Sequence, residues 1–94
     1  MPYIRPDRRA ELDIMLETSI AEWLDMDITI GDVNYLITNI VAAYLHDQRA
    51  ANYTRINSVI GVLECAKLEL YRRIASPYED GKASLNGDIE RYTR

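Results

Sequence analysis

Ninety-four residues, with fifteen acids against eleven bases and a net charge of −4, bound the chain to a single helical domain over residues 1–94 and argue against duplex DNA, which is bound through a basic face. Cys65 is the only cysteine, so no intrachain disulfide can form, and a lone thiol suits a reducing compartment, the cytoplasm. No apolar run approaches the roughly 20 residues that span a bilayer, and the opening MPYIRPDRR lacks the apolar stretch of a signal peptide.

A first helix is predicted from Pro6 to about Leu24. Pro6 fits the first turn, where its missing N–H costs nothing, and Asp7 and Glu11 sit at the positive end of the helix dipole. Leu12, Met15, Leu16, Ser19, Ile20, Trp23 and Leu24 recur at spacings of three and four, which is one amphipathic face. After a short connection, Thr29-Ile-Gly-Asp32 reads as a capping box with Asp in the Glu position, and Ile28 and Val33 are placed as a hydrophobic staple. The second helix then runs from Ile30 to about Ala51, with Val33, Leu36, Ile37, Ile40, Val41 and Tyr44 as its apolar stripe and Tyr35, Asn39 and His46 in the opposite row.

A third helix is expected from Thr54, as N-cap, to about Ser76. It is apolar around most of its circumference, through Ile56, Val59, Ile60, Leu63, Leu68, Leu70 and Ile74, and such a helix is buried on several sides. Two helices of the same chain barely cover it, so the chain is expected to assemble as a homo-oligomer. Ser76-Pro77-Tyr78-Glu79 reads as a second capping box after a kink or sharp turn, opening a short fourth helix to about Leu85 that Asn86-Gly87 ends. Asp88–Tyr92 is expected to be extended, pairing with Pro2-Tyr3-Ile4. The predicted architecture is all-α: three main helices, a short C-terminal helix and an ordered tail.

Seven tyrosines and one tryptophan stand against no phenylalanine, a usage that fits rings with one dry and one wet end, as at interfaces and ligand sites. At about 100° per residue, Lys67 falls within the apolar face of the third helix, with Glu64 and Tyr71 on the same side. The plain reading is that Lys67 snorkels and pairs with Glu64; the functional one makes it an anion clamp. Arg72 and Arg73 complement the C-terminal end of a helix dipole, yet guanidinium forks also bind phosphate, and Tyr71 and Tyr78 offer faces on which a base can stack. The candidate ligand set is therefore Lys67, Tyr71, Arg72, Arg73 and Tyr78. Catalytic signals are poor: His46 is the lone histidine, Cys65 reads as packing, and there is no glycine-rich phosphate loop or nucleophile elbow. No catalytic residue, metal ligand or cofactor is assigned. A weak enzymatic alternative is a metal-dependent nucleotide hydrolase using Glu79, Asp80 and Asp88, although no calcium-loop spacing is present.

The run INSVIGVLECAKLELYRR, followed by PYED-x-K and NGD, with MPYI at the start and NYLI in the second helix, resembles a family of small uncharacterised helical proteins frequent in bacteriophages and bacteria. The resemblance covers nearly the whole chain and rests on Asn34-Tyr35, Tyr71-Arg72-Arg73, Pro77-Tyr78-Glu79-Asp80, Lys82 and Asn86-Gly87-Asp88. The chain departs from the pattern where Ile89-Glu90-Arg91 intervene before Tyr92. The resemblance supplies no reaction. It implies a phage or prophage setting, where small cytosolic oligomers counter host defence, one class of them by sequestering cyclic nucleotide signals. The expected function is such sequestration of a small phosphorylated ligand, and the alternative is a protein-interaction or structural module with no ligand.

Overall fold

The computed structural model describes residues 3–47 and 52–93. It is all-helical, with no strand among the described residues. Four α-helices follow one another, α1 Pro6–Met26, α2 Ile30–Asp47, α3 Tyr53–Leu70 and α4 Ser76–Asn86, with a π-helical turn, Tyr71–Ala75, joining α3 to α4 and a 3-10 turn, Glu90–Tyr92, near the end. The chain divides into two compact units, Met1–Val59 and Ile60–Arg94.

In the first unit, α1 opens on Pro6 and the Arg9 N–H closes the first turn onto the Arg5 carbonyl at 3.0 Å. It runs two residues beyond the expected Leu24, because the stop is made by Asp27, which takes a left-handed conformation (φ 55°) and donates its N–H to Leu24 O at 3.3 Å. Asp is among the few residues that visit that region readily. Leu12, Ser19 and Trp23 are half-buried on one face, whereas Met15, Leu16, Ile20 and Leu24 of the expected stripe are exposed.

The capping box at the start of α2 is formed. Thr29 N–H donates to Asp32 Oδ2 at 2.9 Å, and Asp32 N–H donates to Thr29 Oγ1 at 3.2 Å. Two otherwise orphaned donors are thereby satisfied reciprocally, with the shorter Asp replacing Glu. Thr29→Ala should lower stability by about 1 kcal/mol, measured by urea unfolding at fixed protein concentration; an unchanged midpoint would remove the cap from the fold's support. The predicted extension of α2 to Ala51 passes beyond Asp47 into residues outside those described.

The start of α3 differs from expectation. Asn52, not Thr54, is the cap: its Oδ1 accepts the Arg55 N–H at 2.9 Å, and its carbonyl accepts the Ile56 N–H at 3.0 Å. Thr54 is already helical, its carbonyl taking the Ser58 hydroxyl at 2.9 Å. Asn is as strong an N-cap as any residue and begins the helix two residues earlier.

The second unit corrects two further expectations. No sharp turn or capping box forms at Ser76–Glu79, where Ala75 and Ser76 are both right-handed helical and Ala75 makes no side-chain cap bond. The chain instead passes through the π turn, with the Ser76 N–H reaching the Tyr71 carbonyl five residues back. Pro77 has no N–H, and its ring would strike the carbonyl four residues before it in a regular helix; a π turn moves that carbonyl aside without ending the helix. Asp88–Tyr92 is not extended throughout: Ile89 is extended, and a 3-10 turn follows over Glu90–Tyr92, where Tyr92 N–H meets Ile89 O at 2.9 Å. Its suggested pairing with residues 2–4 falls partly outside the described residues. Gly87 does end α4, at φ 86°, a region closed to most side chains.

Only Val59, 7% exposed, is buried among the described residues. A folded chain of this size ordinarily hides about 60% of the surface of its extended form around one core. Among the described residues many apolar side chains of the helices are exposed, while Leu12, Trp23, Leu36 and Val41 are half-buried.

Candidate functional site

The five expected ligand residues all lie in the second unit, on the last turns of α3, the π turn and the start of α4. They fall into separate contacts rather than one pocket. Lys67 Nζ stands 3.6 Å from Glu64 Oε1 with both side chains largely exposed, which is the plain pairing and contributes at most about 0.5 kcal/mol.

Arg72 and Arg73 converge on one acid. Arg72 Nη2 lies 3.2 and 3.3 Å from the two carboxylate oxygens of Glu69, and Arg73 donates through Nε to Glu69 Oε1. Glu69 is the more sheltered partner, with 25% of its side chain exposed against 66% and 58% for the arginines. The spacings of three and four residues put all three on one face. Any anion approaching these guanidinium groups would have to compete with Glu69.

Tyr71 donates its hydroxyl to Glu79 Oε2 at 2.9 Å. A straight α-helix rotates residues eight apart about 80° out of line, whereas residues seven apart nearly coincide. The π turn absorbs one extra residue, so Tyr71 and Glu79 meet as if seven apart. The hydrogen bond to Glu79 raises the Tyr71 pKa above its ordinary value of 10.0, helped by the charge of Glu79, slight desolvation and the charge of Asp80. The neutral phenol is the form that donates, so this contribution is complete below the ordinary tyrosine range and is lost as pH rises through the raised value. In an ultraviolet titration one of the seven tyrosines should ionise later than an ordinary phenol, and Glu79→Gln should bring it back. A titration identical in the two proteins would refute the pairing.

Tyr78 meets a partner that the sequence reading left out of the site. Lys82 Nζ sits over the Tyr78 ring, 5.6 Å from its centre, within cation–π range. The Tyr-x-x-x-Lys spacing, one helical turn, was the available signal. The two line a hollow of about 350 Å³ with Pro77, Gly81 and Leu85, at the small end of the range for ligand pockets. A second hollow, about 320 Å³, lies in the first unit between Trp23, Met26, Ile28, Tyr35 and Leu36. It is also lined by Glu22 and Asp32, a setting that repels an anion at short range. Of the two, the Tyr78–Lys82 hollow is the one suited to phosphate beside an aromatic face.

The remaining candidates stay apart from these. His46 is exposed in the last turn of α2, Asn39 bonds its own helix at Tyr35 O, and Cys65 is half-buried. Among the described residues, no three His, Cys, Asp or Glu side chains gather so as to hold a metal ion, so Glu79, Asp80 and Asp88 form no such cluster. No helix of the described residues is long and apolar enough to cross a membrane.

A family model described as a domain of unknown function (DUF6899) matches residues 1–89. The chain belongs to this family. The DUF6899 match takes in the π turn, Glu69, Glu79 and the Tyr78–Lys82 hollow, and it stops at Ile89, where the intervening Ile-Glu-Arg begins. No curated protein and no solved structure matches the chain.

Proposed function

We propose that this DUF6899 protein acts by binding rather than by catalysis, sequestering a small phosphorylated ligand, a cyclic nucleotide immune signal in a phage anti-defence setting. The observation that carries this reading is the Tyr78–Lys82 hollow at the head of α4, with Arg72 and Arg73 on the π turn just before it. A base stacks on Tyr78 with phosphate held by Lys82 beside it, and Arg72 and Arg73 on the π turn offer further donors to phosphate. Base–aromatic stacking contributes about 1–3 kcal/mol per base, and charge-assisted hydrogen bonds about 1.5–3 kcal/mol each.

The test is to incubate the protein with a panel of cyclic di- and trinucleotides, separate it from free ligand, denature it and analyse what is released. Intact nucleotide supports sequestration. A cleaved nucleotide would replace it with the hydrolase reading. No retention from any member would overturn it in favour of the second reading, a protein-interaction module in host cytoplasm or virion. That reading has its own support in the exposed Tyr35, Tyr44, Tyr53 and Tyr92, since tyrosine and arginine dominate interface hot spots.

A further inference from the structure

The hollow of the first unit is lined in the opposite sense to the Tyr78–Lys82 hollow. Trp23 and Met26 come from the end of α1, Tyr35 and Leu36 from the start of α2, and each helix adds one carboxylate, Glu22 and Asp32. Asp32 is fixed in place by the capping box, where its Oδ2 takes the Thr29 N–H and Oδ1 is left for another donor. That bond also answers the positive end of the α2 dipole, whereas the negative end of α1 has no basic residue in its last turn. Among the described residues neither Glu22 nor Asp32 is held in an ion pair. From Ala10 to Leu45 the sequence carries seven acids and no Lys, Arg or His. Two aromatic faces, themselves attractive to a cation, thus stand with two carboxylates in a field of one sign.

We propose that this hollow binds an organic cation, and that its ligand is a linear polyamine. Two carboxylates on separate helices match two ammonium groups, and Met26, Leu36 and the rings give the methylenes between those groups an apolar contact. A metal ion matches less well, since it takes several oxygen ligands at once and no three acids of the described residues gather to hold one. At about 320 Å³ the space suits a small ligand. The site is built wholly from the unit Met1–Val59 and needs no nucleotide.

Trp23 is the only tryptophan, so its fluorescence reports the hollow directly. Spermidine is titrated into the full chain at low ionic strength, where charge attraction is least screened, beside magnesium chloride at matched ionic strength. The expected result is a saturable change in Trp23 emission that magnesium does not reproduce. Glu22→Gln and Asp32→Asn, the latter keeping a capping oxygen, should each weaken binding about fivefold, and Tyr35→Leu about two- to fivefold. Asp13→Asn makes the same charge change outside the hollow and should leave binding as it was. Equal responses to magnesium and spermidine, or equal losses in Asp13→Asn and Glu22→Gln, would overturn the proposal by reducing the effect to net charge. Tighter binding of acetyl-arginine amide than of spermidine would overturn the polyamine in favour of a protein side chain. Unchanged emission, with no spermidine retained in equilibrium dialysis, would overturn the site itself.

Discussion

Arg72→Ala and Arg73→Ala should each weaken retention of a cyclic nucleotide by about ten- to a hundredfold, because each removes a charge-assisted bond to phosphate of about 1.5–3 kcal/mol. Glu69→Gln should act in the opposite direction. Glu69 accepts from both guanidinium groups, and in the ligand-free protein it occupies the donors that phosphate would use. Neutralising it removes a competitor and a nearby negative charge while keeping the side chain's shape. Tyr78→Leu keeps an apolar surface but removes the ring under Lys82, and should cost affinity across all bases alike, since every base has a face to stack. Affinities read by equilibrium binding decide the matter. If both arginine variants bind as the parent does, with helicity retained, the arginines leave the site; if Glu69→Gln weakens binding, Glu69 orients the forks rather than competing with the ligand.

What was legible in the sequence was local. The Thr29–Asp32 box involves residues three apart, so spacing alone determines whether it can close, and it did. Gly87 and Pro6 likewise act through their own backbone restrictions. The capping box at Ser76 looked equally good, yet a cap forms only if the preceding chain leaves the helix. Here α3 is continued by the π turn, and Glu79 is taken by Tyr71 instead. That bond joins residues eight apart and exists only because of the inserted residue, which no periodic projection at a fixed angle contains. Lys67 with Glu64 is legible for the same reason as the box, and the joint hold of Glu69 on Arg72 and Arg73 follows the same i,i+3 and i,i+4 spacing. The apolar circumference of α3 and the stripe of α2 announced surfaces that need cover; which surface covers them depends on contacts distant in sequence, or in another chain, and periodicity does not carry that information.

Pro77→Ala should convert the π turn to regular α-helix and change both stability and the site. The substitution restores an N–H and removes the ring that displaces the carbonyl of Arg73, so the cause assigned to the π turn disappears. In a helix interior the same exchange gains about 3 kcal/mol, and the gain here should be smaller, because the π turn already absorbs part of the clash. Closing the turn rotates α4 by about 100° relative to α3. Glu79 then leaves the Tyr71 hydroxyl, which should titrate as an ordinary tyrosine, the result also expected for Glu79→Gln. The Tyr78–Lys82 pair, four residues apart within α4, should survive unchanged, while its direction relative to Arg72 and Arg73 is lost. Ligand retention should therefore fall even though the protein becomes more stable, a combination that simple unfolding cannot produce. A late-titrating tyrosine in Pro77→Ala would show that the π turn is held by something other than the proline, with the Tyr71–Glu79 bond itself as the next cause to remove.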